Sequence, residues 1–136
     1  MSAGYSGTPL AKKLGYKPGC RALIIDAIPG YLELLRALPE AVTFGDPLPD
    51  GTYDLIHLFT KSSSELQGHL VALKPQVAKT GMLWVSWPKK TSKIATDLNG
   101  NVVRELGLAC GLVDVKVCAV DADWSGLKFV WRVKDR

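Results

Sequence analysis

Cysteine is scarce in this chain, with three in 136 residues, at Cys20, Cys110 and Cys118. An odd number with no C-x-x-C pair excludes a disulfide framework and the usual zinc and redox spacings. The expected state is three buried thiols in a reducing cytoplasm. Long apolar runs are also missing. None approaches the roughly 18–20 residues of a membrane span, and the opening MSAGYSGTPLAKKLG lacks the apolar core of a secretory signal, so a cytoplasmic protein with no membrane role is expected. No G-x-S-x-G, H-E-x-x-H, phosphate-loop or zinc pattern occurs, and neither of the two histidines meets a nucleophile by motif. No catalytic residue and no metal ligand is assigned. Charge of one sign is not concentrated either. The net charge of +4 comes from 17 basic against 13 acidic residues, short of the dense basic stripe of a nucleic-acid binder.

What is there is an ordinary globular composition, 47% hydrophobic and 22% charged, with length for one real core. The expected organisation is an N-terminal arm and short helix over residues 1–19, then one domain over 20–136. Cys20 to Gly30 (CRALIIDAIPG) reads as a strand buried on both faces, turning through Pro29-Gly30 into a helix over about 30–38. This βα unit is expected to lie at the middle of a mainly parallel sheet. Thr8-Pro9 offers a cap for a helix that stops at Gly15. Short strands are expected at 42–44, 53–59 and 82–87. A capping box of Ser62 and Glu65 opens a helix with Leu66, Leu70, Leu73 and Val77 on one face, interrupted by Pro75. Asp97 is the expected cap of a later helix through Leu98, Val103 and Leu106, closed by Gly111. Strands at 112–120 and 127–133, joined by 121–126, must run antiparallel because that link is too short for a crossover.

Four parallel-type strands ending in an antiparallel hairpin resemble the plan of the Rossmann-like methyltransferases, in which the last strand inserts beside the middle ones. YDLIHLF (53–59), KPQVAKTGMLWVSW (74–87) and LVDVKVCAV…LKFVWRV (112–133) look like the later half of that family, with one strand and one helix of the first half missing. More narrowly, SGTPLAKKLG (6–15), LWVSWPKK (83–90) and LVDVKVCAVDADWSGLKFV (112–130) are similar to a bacterial family designated domain of unknown function 3052. The resemblance implies a single-domain Rossmann-like three-layer α/β sandwich, a truncated methyltransferase-like fold whose mostly parallel sheet ends in an antiparallel hairpin. It implies no activity.

Ligands of open α/β sheets bind at the carboxyl ends of the strands, where loops 26–30, 60–64, 88–93 and 121–126 are expected to meet. A cofactor loop after the first strand needs glycines so that backbone can touch the ligand. Here Asp26 and Gly30 supply one acid and one glycine, with Ile28 and Pro29 intruding. Asp46, 20 positions beyond Asp26 and just past the second strand, is the candidate ribose-binding acid, or simply a turn residue. S-adenosylmethionine or a nucleotide is therefore a disfavoured cofactor. Lys61, Lys89, Lys90 and Lys93, with Ser62 and Ser63 at a helix start, form a candidate anion-binding edge. Trp87 is weighed as a stacking platform against a packing role, and His57 as a hydrogen-bonded core residue. The reading is a non-catalytic binding or interaction module whose partner is an anionic small molecule or a protein. The alternatives are a small nucleotide- or S-adenosylmethionine-binding enzyme of methyltransferase-like type and, more weakly, a single-stranded nucleic-acid binder.

Overall fold

The computed structural model describes residues 8–136. Its elements are α1 (Leu10–Leu14), β1 (Arg21–Ile25), α2 (Tyr31–Leu35), β2 (Thr43–Phe44), β3 (Tyr53–Phe59), α3 (Ser63–Leu73), β4 (Val77–Pro88), α4 (Gly100–Ala109), β5 (Leu112–Ala119) and β6 (Trp124–Trp131). One six-stranded sheet runs in the order β2-β1-β3-β4-β6-β5. The strands β2, β1, β3 and β4 are parallel, and β6 lies antiparallel between β4 and β5. This is the expected α/β sandwich with its terminal hairpin.

Alternation along the central strands divides the core into two layers. Ile56, Leu58, Leu83 and Val85 pack with Leu66 and Leu70 of α3 and Val103 of α4. On the other side Leu55, Phe59 and Trp84 pack with Leu14 of α1 and with Tyr31 and Leu35 of α2. Both faces of β3 and β4 are thus enclosed, which explains their nearly unbroken apolar sequence.

Several boundaries differ from the expectation. The strand β1 stands second from the rim, beside the two-residue β2, with only Ala22 fully buried. The centre of the sheet is β3 and β4, because among the described residues no further strand lies beyond β2. The cap of α1 is Pro9 rather than Thr8. The helix α2 stops at Leu35, since Arg36 turns to φ 57 before Pro39 is reached. Pro75 closes α3 through a 3-10 turn, so Val77 begins β4 rather than extending the helix face. The cap of α4 is Asn99, whose Oδ1 accepts from the Val102 N–H at 2.9 Å. The hairpin turn is tighter than 121–126, because β6 already begins at Trp124 and Ala119 of β5 pairs with Ser125.

The link from β2 to β3 uses only residues 45–52, although parallel strands ordinarily need a longer crossover. The shortness of β2 allows it. Phe44 pairs with Ala22, which on its other side pairs with Leu55, so the chain changes sides of β1 almost without changing level.

Candidate functional site

The strands β1, β3 and β4 end in register, with Ile25 beside Leu58 and Leu58 beside Val85, so the loops after them leave from one edge. The β5–β6 turn joins them there. The Lys89 N–H donates to the Asp123 carbonyl and its Nζ to the Asp121 carbonyl, each at 2.8 Å. The four loops singled out in the sequence do meet.

What they form is not an open cradle. After β1, Asp26 is exposed in the left-handed region at φ 56. Two positions on, Ile28 is only 9% exposed and belongs to the core cluster of Tyr31, Phe59 and Trp84. The Tyr31 N–H donates to the Ile28 carbonyl at 3.2 Å, and Gly30 takes φ 77 to let the chain enter α2. That helix has five residues, too short to gather an anion-binding set of N–H groups. Asp46 is exposed in the loop after β2.

The start of α3 is already occupied. Ser62 Oγ accepts from the Glu65 N–H at 3.3 Å, the capping bond expected from the sequence. In addition, Asp97 accepts from the Ser63 N–H and from Ser63 Oγ, both at 2.8 Å. These bonds hold the Asp97 carboxyl below its ordinary range, the hydroxyl donor counting most. Its segment is held further by Thr96 Oγ1 and the Asp97 N–H, which both donate to the Lys61 carbonyl. Asp97 therefore caps α3 and not α4, and the N–H group that would meet an outside anion meets the chain's own carboxylate. Lys61, Lys90 and Lys93 are exposed around this edge, while Lys89 is tied to the hairpin turn. Trp87 is 6% exposed in the core cluster with Leu98. It offers no stacking surface, because the parity of β4 turns it toward the α4 layer.

Beneath the edge lies a buried polar chain that motif reasoning did not assemble. Tyr16 Oη and Tyr31 Oη are 2.8 Å apart, Tyr31 Oη and His57 Nδ1 2.7 Å, and His57 Nε2 and Ser86 Oγ 2.7 Å. Trp84 Nε1 donates to the Leu14 carbonyl beside it at 2.7 Å. Burial pushes the His57 imidazolium down to about 3, so the ring is neutral, and burial raises both tyrosine hydroxyls above their ordinary value. A neutral ring has one N–H, so one hydroxyl hydrogen at an end of this chain has no acceptor within it. Tyr16 is 4% exposed and Ser86 fully enclosed, so the spare hydrogen costs less on Tyr16. On this count Ser86 donates to Nε2 and the Nδ1–H donates to Tyr31. His57 is the hydrogen-bonded core residue expected of it. Its partners were not legible, because Tyr16, Tyr31 and Ser86 come from three separate segments, none of them its own strand. Among the described residues no group of three His, Cys, Asp or Glu side chains could hold a metal ion, and no helix is long and apolar enough to cross a membrane.

No protein-family model matches the chain and no curated protein matches it, so the narrower likeness to domain of unknown function 3052 is not confirmed. Solved structures do match. A SAM-dependent methyltransferase from Aquifex aeolicus superposes with TM-score 0.60 at 17% identity, over 88% of this chain and 86% of that one. The ribosomal protein L11 methylase from Lactobacillus delbrueckii subsp. bulgaricus gives 0.57 at 12% identity, over 90% and 75%. LepI in complex with SAM gives 0.56 at 12% identity, over 92% of this chain but 47% of that one. At these identities the likeness concerns the fold, and the fold of this chain is that of the Rossmann-like methyltransferases.

Proposed function

We propose that this protein is a methyltransferase-like domain acting as a non-catalytic binding module, with Lys61, Lys90 and Lys93 at its carboxyl edge meeting an anionic small molecule or an anionic protein surface. The observation that carries this reading is the burial of Ile28 in the core. A cofactor loop needs bare backbone facing the ligand, and here a branched side chain anchors the loop inward while Pro29 removes a donor. The self-capped start of α3 supports it, since the neighbouring anion position is filled by Asp97. The narrower family likeness, to domain of unknown function 3052, is kept as part of this reading.

A second reading has one observation in its favour. The fold is shared with structures solved with SAM and with SAH, and Asp26 and Asp46 remain in the loops after β1 and β2. In that reading the loop opens to admit S-adenosylmethionine, and the protein is a small transferase. Calorimetric titration with S-adenosylmethionine and S-adenosylhomocysteine, paired with a thermal-shift series, separates the two. The module reading expects no saturable heat and no shift at millimolar ligand. A ligand at about 100 times its dissociation constant would add about 2.7 kcal/mol of stability, and saturable binding of that kind would establish the second reading instead.

A further inference from the structure

The hairpin partner strand β5 changes sides part-way along. Leu112 stands across from Trp131 and Asp114 across from Phe129, on the side that faces α4, where Asp114 Oδ2 accepts from Arg104 Nε at 3.2 Å. The register then shifts, and Lys116 stands across from Lys128 and Cys118 across from Gly126. Val115 is the extra residue of a β-bulge. By inserting it, the strand moves its even-numbered positions from the α4 side to the opposite face of the sheet. Without the bulge Lys116 would follow Leu112 and Asp114 toward α4. Bulges of this kind re-aim side chains and concentrate beside functional sites.

The bulge delivers a like-charge pair. Cβ atoms directly across an antiparallel ladder are about 4.5–5.5 Å apart, and like charges so placed are destabilising. Lys17 adds a third positive charge. Desolvation first, then Lys116 and Lys17, hold the Lys128 ammonium below its ordinary value. Among the described residues no carboxylate forms an ion pair with any of the three. Among the described residues the one ion pair is Arg104 with Asp114, and residues 1–7 contain no Asp or Glu. A cavity of about 350 Å³ adjoins the cluster through Lys17, with Cys20, Asp54, Thr80 and Met82 among its walls. Asp54 accepts from the Arg21 N–H at 3.0 Å and pairs with no lysine. The volume falls in the small-ligand class of about 300–1,000 Å³. A single nucleic-acid strand would need aromatic platforms, and the ring across from Lys128 is Trp84, which is fully buried.

We propose that Lys17, Lys116 and Lys128 form a binding site for the phosphate groups of a small phosphate-bearing compound, whose remaining body enters the adjoining cavity. The site lies on the α1 face and not at the carboxyl edge, so it stands whether or not S-adenosylmethionine binds.

Inorganic pyrophosphate is the probe, titrated into the full chain by calorimetry and by NMR detection of the lysine Nζ groups. The wild-type protein is expected to bind it at sub-millimolar concentration, with the Lys17, Lys116 and Lys128 signals shifting together. Lys116→Gln and Lys128→Gln should each weaken binding about tenfold or more, since a hydrogen bond to a charged group contributes about 1.5–3 kcal/mol. Each should also raise the melting temperature of the unliganded protein by removing repulsion, a response that a merely structural lysine would not give. Lys134→Gln should change neither reading. Absence of pyrophosphate binding at millimolar concentration, or binding unaffected by both variants, overturns the proposal. So does an oligonucleotide that binds through the same lysines while pyrophosphate does not.

Discussion

His57 has a partner on each ring nitrogen and no access to water. Its folded-state value of about 3 against an ordinary 6.5 makes it a stability sensor. Between those values the unfolded chain takes up a proton that the folded protein refuses. Stability is therefore complete above about pH 6.5 and falls as the solution is acidified toward pH 3, with a slope approaching about 1.4 kcal/mol per pH unit. Urea unfolding across this window should show the fall, and in His57→Gln that part of the slope should vanish while any loss from the exposed carboxylates remains. A slope equal in both proteins would mean that the ring titrates freely. The residue type was legible as a core histidine from its apolar strand. Its hydrogen bonds were not, because Tyr16, Tyr31 and Ser86 lie up to 41 positions away in sequence and meet it only once the sheet is built.

At the scale of elements, two helices test how local and distant causes combine. Gly107 sits within α4 directly over the enclosed ring of Phe129, inside the reach of any Cβ. Propensity alone favours Gly107→Ala by about 1 kcal/mol, whereas overpacking a rigid core costs about 1–3 kcal/mol. Because Phe129 is fully buried and cannot withdraw, the second effect wins, and Gly107→Ala should lower the urea midpoint. A raised midpoint would show that α4 shifts freely on the sheet. The helix α3 has a local cap, Ser62, and a remote one, Asp97. Asp97→Ala should speed amide exchange at Ser63 and Ser64 and lower the melting temperature. In the wild type that contribution should be present above the ordinary carboxylate range and fade as pH drops through the depressed value of Asp97. The capping box was legible because its partners lie one turn apart. Asp97 was assigned to the wrong helix because an Asp before an apolar run looks the same whichever helix start it serves.

For the whole molecule, the strand order follows from sequence features only in part. The final link was too short for a crossover, which dictated the antiparallel hairpin, and the buried runs dictated parallel strands. The place of β1 beside the rim did not follow, since the four-residue apolar run 22–25 reads alike in second or third position. Alternation puts Trp84 and Trp87 on opposite faces of β4, but the sequence could not say which of them meets which helix layer, because both faces of that strand are apolar. The loop after β1 is where these scales meet. If residues 26–30 are part of the core, truncating Ile28 removes buried surface and leaves a void among Tyr31, Phe59 and Trp84. Ile28→Ala should then cost on the order of 2 kcal/mol or more, as buried Ile truncations do, without conferring affinity for S-adenosylmethionine. If the loop is instead a closed cradle, shortening that side chain should cost little and let the cofactor in. Denaturant unfolding and a titration on the same variant measure both quantities, and a stable, cofactor-binding Ile28→Ala would transfer the argument to the transferase reading.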